Sequence, residues 1–140
     1  MDTDHVTSAA ENAVALCEYH CAAALDYSEA SLQFVERTLA EADQWVGEFT
    51  AERLDSVIES IGCYILEVGR REFGGRYLWH DERNQPVLVA GEPSCRIALL
   101  AQDKVRGRLG GDAGDNISFF YAGFVDRARY AQPGTDVLYV

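Results

Sequence analysis

The chain has no run of the ~18 apolar residues that a membrane span requires. Its first ten residues, MDTDHVTSAA, lack the basic and apolar regions of a secretory signal. The acidic, leaderless start points to the cytoplasm, where disulfides do not persist. Recognisable catalytic signatures are also missing. There is no GxSxG, no HExxH and no paired CxxC. GRLGGDAGDN is rich in glycine and aspartate, yet it has neither the lysine of a P-loop nor the spacing and terminal glutamate of a calcium loop. With one lysine, Lys104, Schiff-base chemistry has a single candidate. Nothing in the pattern calls for a cofactor.

Basic residues are scarce where acidic ones are dense. Residues 1–60 carry 13 Asp and Glu against two arginines, Arg37 and Arg53, and residues 61–140 carry ten of each sign. The whole net charge of −11 therefore belongs to the first part. Such a face repels nucleic acid and anionic lipid and attracts basic proteins. Solubility alone also accounts for it.

The length, 140 residues, suits one domain over 1–140, with 48% hydrophobic residues to build its core. Residues 1–7 are expected to form a disordered tail. Ser8 with Glu11 reads as a capping box opening a helix over Ala9–Ala24. Ser28 opens a second helix that runs to Gly47, with Leu32, Val35, Leu39, Ala42 and Val46 along one face. Thr50 caps a third, whose stripe is Leu54, Val57, Ile58, Ile61, Ile65 and Val68, and Gly74–Gly75 stops it. Gly62 and Gly69 inside that helix predict another element passing close by. The period then changes. RYLWH and PVLVA read as a hairpin across DERNQ, SCRIAL as a short third strand and VLYV as a last one. Helical spacing returns at 99–109 and again after Asp115 or Asn116. The expected fold is α+β: three N-terminal helices, a small antiparallel β-sheet (hairpin plus one or two short strands) and two C-terminal helices.

Two groups of residues invite a functional reading. In CEYHC, Cys17 and Cys21 lie four apart with His20 between, a spacing that can reach a metal from one helical turn. Cys63 and Cys95 stand alone, however, and a closed zinc site needs four ligands. The expectation is no metal. The second group is YILEVGRREFGGRYLWH, which gathers Glu67, Arg70, Arg71, Arg76, Trp79 and His80. Three arginines around a glycine turn could hold a carboxylate or phosphate. The plainer reading makes Glu67, Arg70 and Arg71 a surface charge cluster at i, i+3 and i+4, and makes Trp79 the anchor of the hairpin. His80 beside Asp81 suggests a tuned base, but strand neighbours point to opposite faces.

LDYSEASLQFVERTLAE, SIGCYILEVGRREFGGRYLWH and PVLVAG together resemble a group of uncharacterised bacterial proteins. Those share a Leu-Asp-Tyr-Ser helix start and a "GxYLGEVxRRxxGGxW" helix-to-strand junction. The likeness runs from about Leu25 to Phe124 and departs at Ile65 and Leu66, where the group has Leu and Gly. It implies an α+β domain and no activity. The matched positions, Asp26, Tyr27, Ser28, Tyr64, Glu67, Arg71 and Trp79, gain no catalytic role from it.

Two functions follow as expectations. One is a non-catalytic binding or regulatory domain with a protein partner, immunity-like in one version, with neither nucleic acid nor membrane as partner and with room for a homodimer. The other is a hydrolase-like enzyme using Glu67, His80 and the neighbouring arginines. A deep pocket where those groups converge would favour the enzyme.

Overall fold

The computed structural model describes residues 2–140, with the backbone alone for Ala113. The helices are α1 (Thr3–Cys21), α2 (Leu32–Ala40), α3 (Ala51–Phe73), α4 (Gln102–Leu109) and α5 (Ile117–Tyr130). The strands are β1 (Arg76–His80), β2 (Gln85–Ala90), β3 (Arg96–Leu99) and β4 (Asp136–Tyr139). The fold is α+β: three helices, a four-stranded sheet and two later helices. Among the described residues no helix is long and apolar enough to cross a membrane.

The sheet runs in the order β1-β2-β3-β4. The first three strands are antiparallel, with Tyr77 opposite Leu88 and Val89 opposite Ala98. β4 corrects the all-antiparallel expectation, because it pairs parallel to β3, with Ile97 opposite Val137. The reason lies in the connection: α4 and α5 form a crossover of the kind that parallel neighbours require.

α3 is the central element. It packs against α1, against β2 and against α4. Its Ile61, Tyr64, Ile65 and Leu66 are buried among Leu88, Ile97 and Leu99 of the sheet and Phe124 of α5. Thr50 caps the helix by accepting the Arg53 N–H at 3.1 Å, and Gly74 ends it with a φ of 73°. The two interior glycines have the close neighbours that their cost in helix propensity predicts. A Cβ on Gly62 would sit 2.7 Å from Cγ of Gln102, and one on Gly69 would sit 3.0 Å from Cδ2 of Leu88.

Three boundaries differ from expectation. α1 begins at Thr3, so the tail expected over residues 1–7 is helical from there, and Val6 is wholly buried. Asp2 is the N-cap in place of Ser8, accepting the Asp4 N–H at 2.9 Å. Residue 1 lies outside the described residues. Ser28 caps only a short 3-10 turn, Glu29–Ser31, which leads into α2. α2 itself stops at Ala40, and a second turn, Ala42–Gln44, brings Trp45 back over the helix. Its indole N–H donates to the Thr38 carbonyl at 2.8 Å.

Candidate functional site

The six residues gathered in sequence between Glu67 and His80 are divided by the fold. Glu67 is turned inward near the end of α3 and has no exposed surface. Its carboxylate accepts two hydrogen bonds from Arg70, both 2.7 Å, one from Nε of Arg71 at 3.0 Å and one from the Tyr77 hydroxyl at 2.6 Å. Burial alone would raise the Glu67 pKa. The donors from Arg70, Tyr77 and Arg71 outweigh it and hold the group down to about 2. Burial, together with the same contact, pushes the Tyr77 hydroxyl well above its ordinary range. The expectation of a surface charge cluster is thus corrected: Glu67 is a buried hub that ties β1 to α3. The signal was present in IGCYILEVG, nine residues with one charge, which no solvent-facing stretch of helix would tolerate.

The expectation for Trp79 is corrected as well. Tyr77 and Trp79 share a face of β1, but α3 covers only the first of them. Tyr77 is buried and Trp79 is 43% exposed. Tyr77 is therefore the anchor of the hairpin. Trp79 lines a surface cavity of about 550 Å³ with Asp2, His5, Glu59 and Gln102.

Arg76 and His80 lead elsewhere. Arg76 pairs with Glu92 at 2.7 Å, and Arg96 reaches the same carboxylate at 3.4 Å. His80 is committed to the hairpin turn, where its Nδ1 accepts the Arg83 N–H at 3.2 Å. It lies three strand residues beyond Tyr77, roughly 10 Å along the strand and on the other face. Arg70 and Arg71 thus gather on Glu67 while Arg76 and His80 do not, and a carboxylate saturated by four donors has little basicity left for proton transfer.

The CEYHC group does not converge either. Cys17 is buried, with its thiol raised to about 11 by burial, and Cys21 is half-buried. The His20 ring packs against Trp45, 5.3 Å between centroids, and edge-on against Tyr19. Among the described residues no three His, Cys, Asp or Glu side chains are arranged to hold a metal.

Sequence reasoning missed a different site. Between α1 and the first half of α3 lies a groove of about 670 Å³. Leu16 and Val57 contribute apolar surface, Asn12, Ser56 and Ser60 contribute polar groups, and Tyr19, His20 and Phe49 are its aromatic residues. Tyr19 is 85% exposed, which leaves a large aromatic surface unpartnered. Glu18, Glu48 and Glu52, sequence neighbours of the groove residues, are exposed. Arg53 also lines the groove, with its guanidinium 5.1 Å over the Phe49 ring, so the carboxylates stand around the groove and not in it. The one legible hint is the aromatic spacing Tyr19, Trp45, Phe49 within the acidic part, which tertiary packing assembles.

A second cluster joins LDYS to the hub. The Tyr64 hydroxyl accepts the Tyr27 N–H at 2.9 Å and lies 2.6 Å from Oγ of Ser31. The Asp26 carboxylate accepts the N–H and hydroxyl of Ser28, and Arg71 lies 3.8 Å from the centre of the Tyr27 ring. Asp26, Tyr27, Ser28, Tyr64, Glu67 and Arg71 are thus linked through contacts, and Trp79 stands apart.

Comparison with protein-family models, curated proteins and solved structures finds no match to this chain.

Proposed function

We propose that the chain is a non-catalytic binding domain that receives a basic segment of another protein in the groove between α1 and α3. The observation that carries the reading is the position of that groove: an aromatic-lined hollow within the part of the chain that holds the entire excess of negative charge. Aromatic side chains supply contact area at low entropic cost, and the surrounding carboxylates steer a cationic partner and exclude acidic ones. An immunity-like role, in which a small acidic domain blocks a basic toxin, is one form of this function. The saturation of Glu67 argues against the hydrolase-like alternative.

The test uses a synthetic amphipathic lysine–leucine helix and its glutamate–leucine counterpart, titrated at physiological ionic strength while backbone amide shifts are followed. The basic peptide should shift Tyr19, Phe49 and Ser56 saturably, and Tyr19→Ala should weaken it roughly tenfold, the loss of one aromatic anchor. Shifts scattered over the acidic surface and unchanged by Tyr19→Ala would sink the proposal, as would equal binding of the acidic peptide.

A further inference from the structure

We propose that Arg71 is a built receptor for a single oxyanion, a carboxylate or a phosphate group. The case begins with how thoroughly its guanidinium is fixed. Glu67 accepts from Nε at 3.0 Å, and the Tyr27 ring lies 3.8 Å beneath the guanidinium carbon. Nε and one face of the plane are therefore both committed. No protein acceptor lies within hydrogen-bond distance of the two terminal nitrogens among the described residues, and the side chain is 52% exposed. An arginine held in this way presents a bidentate fork with most of its rotamer entropy already removed.

Tyr27 supplies the second observation. Its φ is 66°, in the left-handed region that a bulky side chain seldom enters. The conformation is locked from both sides, by the Tyr64 hydroxyl on the Tyr27 N–H and by the Asp26 carboxylate on Ser28. The Tyr27 and Tyr64 rings also lie 4.8 Å apart. Strain of this kind persists where the surroundings over-determine it, and here its result is a ring placed under Arg71.

The local charges set the ligand. Arg70 and Arg71 together exceed Glu67 by one positive charge. Arg70 spends Nε and Nη2 on Glu67 and keeps Nη1. Facing groups are Glu11 of α1, whose charge acts on Tyr27, and Asp26, whose carboxylate is already bound by Ser28. Glu72 is engaged by Tyr121 and Arg129. One small anion with two parallel oxygens fits this balance, and a polyanion does not. The site lies about 20 Å along α3 from the aromatic groove, so it stands or falls independently of the function proposed there.

The experiment follows the Arg71 Nε–H and Tyr27 ring resonances during titration with inorganic phosphate and, separately, with acetate, at constant ionic strength against sodium chloride. The expected result is a saturable shift with one or both oxyanions and none with chloride; which oxyanion binds more tightly distinguishes the phosphate source from the carboxylate source. Arg71→Lys keeps the charge and loses the fork, and should weaken binding roughly tenfold. Tyr27→Ala keeps Arg71 and removes its support, and should also weaken binding. Glu11→Gln, an exposed change that leaves the fold intact, should strengthen it severalfold. Shifts no larger than those from chloride, or an Arg71→Lys protein that titrates like the parent, overturn the proposal.

Discussion

The two ends of α3 use the same chemistry to opposite effect. In the first half, Asp55 pairs with Arg106 at 3.1 Å while both side chains stay largely in water. In the second half, Glu67 pairs with Arg70 and Arg71 at similar distances but is wholly buried. The first pair joins α3 to α4 and the second lies within α3, but the energetic difference between them comes from their surroundings. The first half is covered by α1 and lies open on its groove side, whereas Ile61–Gly69 is enclosed all round. An exposed ion pair contributes ~0–1 kcal/mol, because water already solvates both charges. A buried carboxylate deprived of its partners costs several times more. Position on one helix thus separates a tolerant, exposed region suited to binding from a region that the fold depends upon.

The sharpest way to break this comparison is to truncate both acids. Glu67→Ala strands the buried Tyr77 hydroxyl and frees two arginines that can still reach water. The expected loss is about 3 kcal/mol, the low end for a broken buried pair. Asp55→Ala should cost only a few tenths of a kcal/mol. Urea midpoints of the two variants decide the matter, and equal midpoints would remove the distinction between the ends. Acid provides a second reading of the same residue. The folded pKa of Glu67 is depressed from 4.5 to about 2. Its contribution is therefore fully present above the unfolded value and is lost as pH falls from about 4.5 towards 2, ~3 kcal/mol in all. Glu67→Gln should flatten the stability profile of the protein in that window.

Much of the fold is legible because its signals are local. Thr50 and Asn116 cap their helices through their own side chains, Gly74 stops α3, and RYLWH is a strand over the residues read from its period. The failures are tertiary. Asp2 outcompetes the Ser8 box because Val6, Ala9 and Ala10 have α3 to pack against, which extends α1 by two turns. The parallel placement of β4 depends on where α5 sets it down, with Tyr139 stacked on Phe120 at 5.0 Å. At the candidate site, spacing put Glu67 beside Arg70 and Arg71 but could not say that the group lies inside. Nor could it bring Tyr27, 44 residues earlier, under Arg71. The groove left only a hint for the same reason: its aromatic residues come from α1 and from the loop before α3.

A smaller effect tests whether the enclosed half is also tightly packed. Gly62 faces the start of α4, where a Cβ would stand 2.7 Å from Cγ and 3.4 Å from Cα of Gln102. Gly62→Leu should cost ~1–3 kcal/mol by overpacking, which exceeds the helix propensity it gains. The side-chain amide of Gln102 can swing aside, but its backbone cannot, so the cost should survive relaxation. Thermal melting of the variant measures it, and an unchanged midpoint would mean that α4 yields.

A modest effect is expected at the far end of β1, where the cover of α3 gives out. Tyr77 and Trp79 point the same way from one strand, and only the buried Tyr77 touches the hub. Deleting a large aromatic from a core costs ~3–5 kcal/mol, but that figure assumes full burial. Trp79 keeps 43% of its surface exposed, and its cavity neighbours are polar apart from Pro86, which stands opposite it on β2. Little dispersion contact is lost and water can fill the space. Trp79→Ala should therefore cost about 1 kcal/mol or less, below the loss expected for Glu67→Ala. Denaturation midpoints of the two variants in parallel are the check. If Trp79→Ala proves the more damaging, the hairpin is anchored at its tip, and the hub around Glu67 contributes less to the fold than its four hydrogen bonds imply.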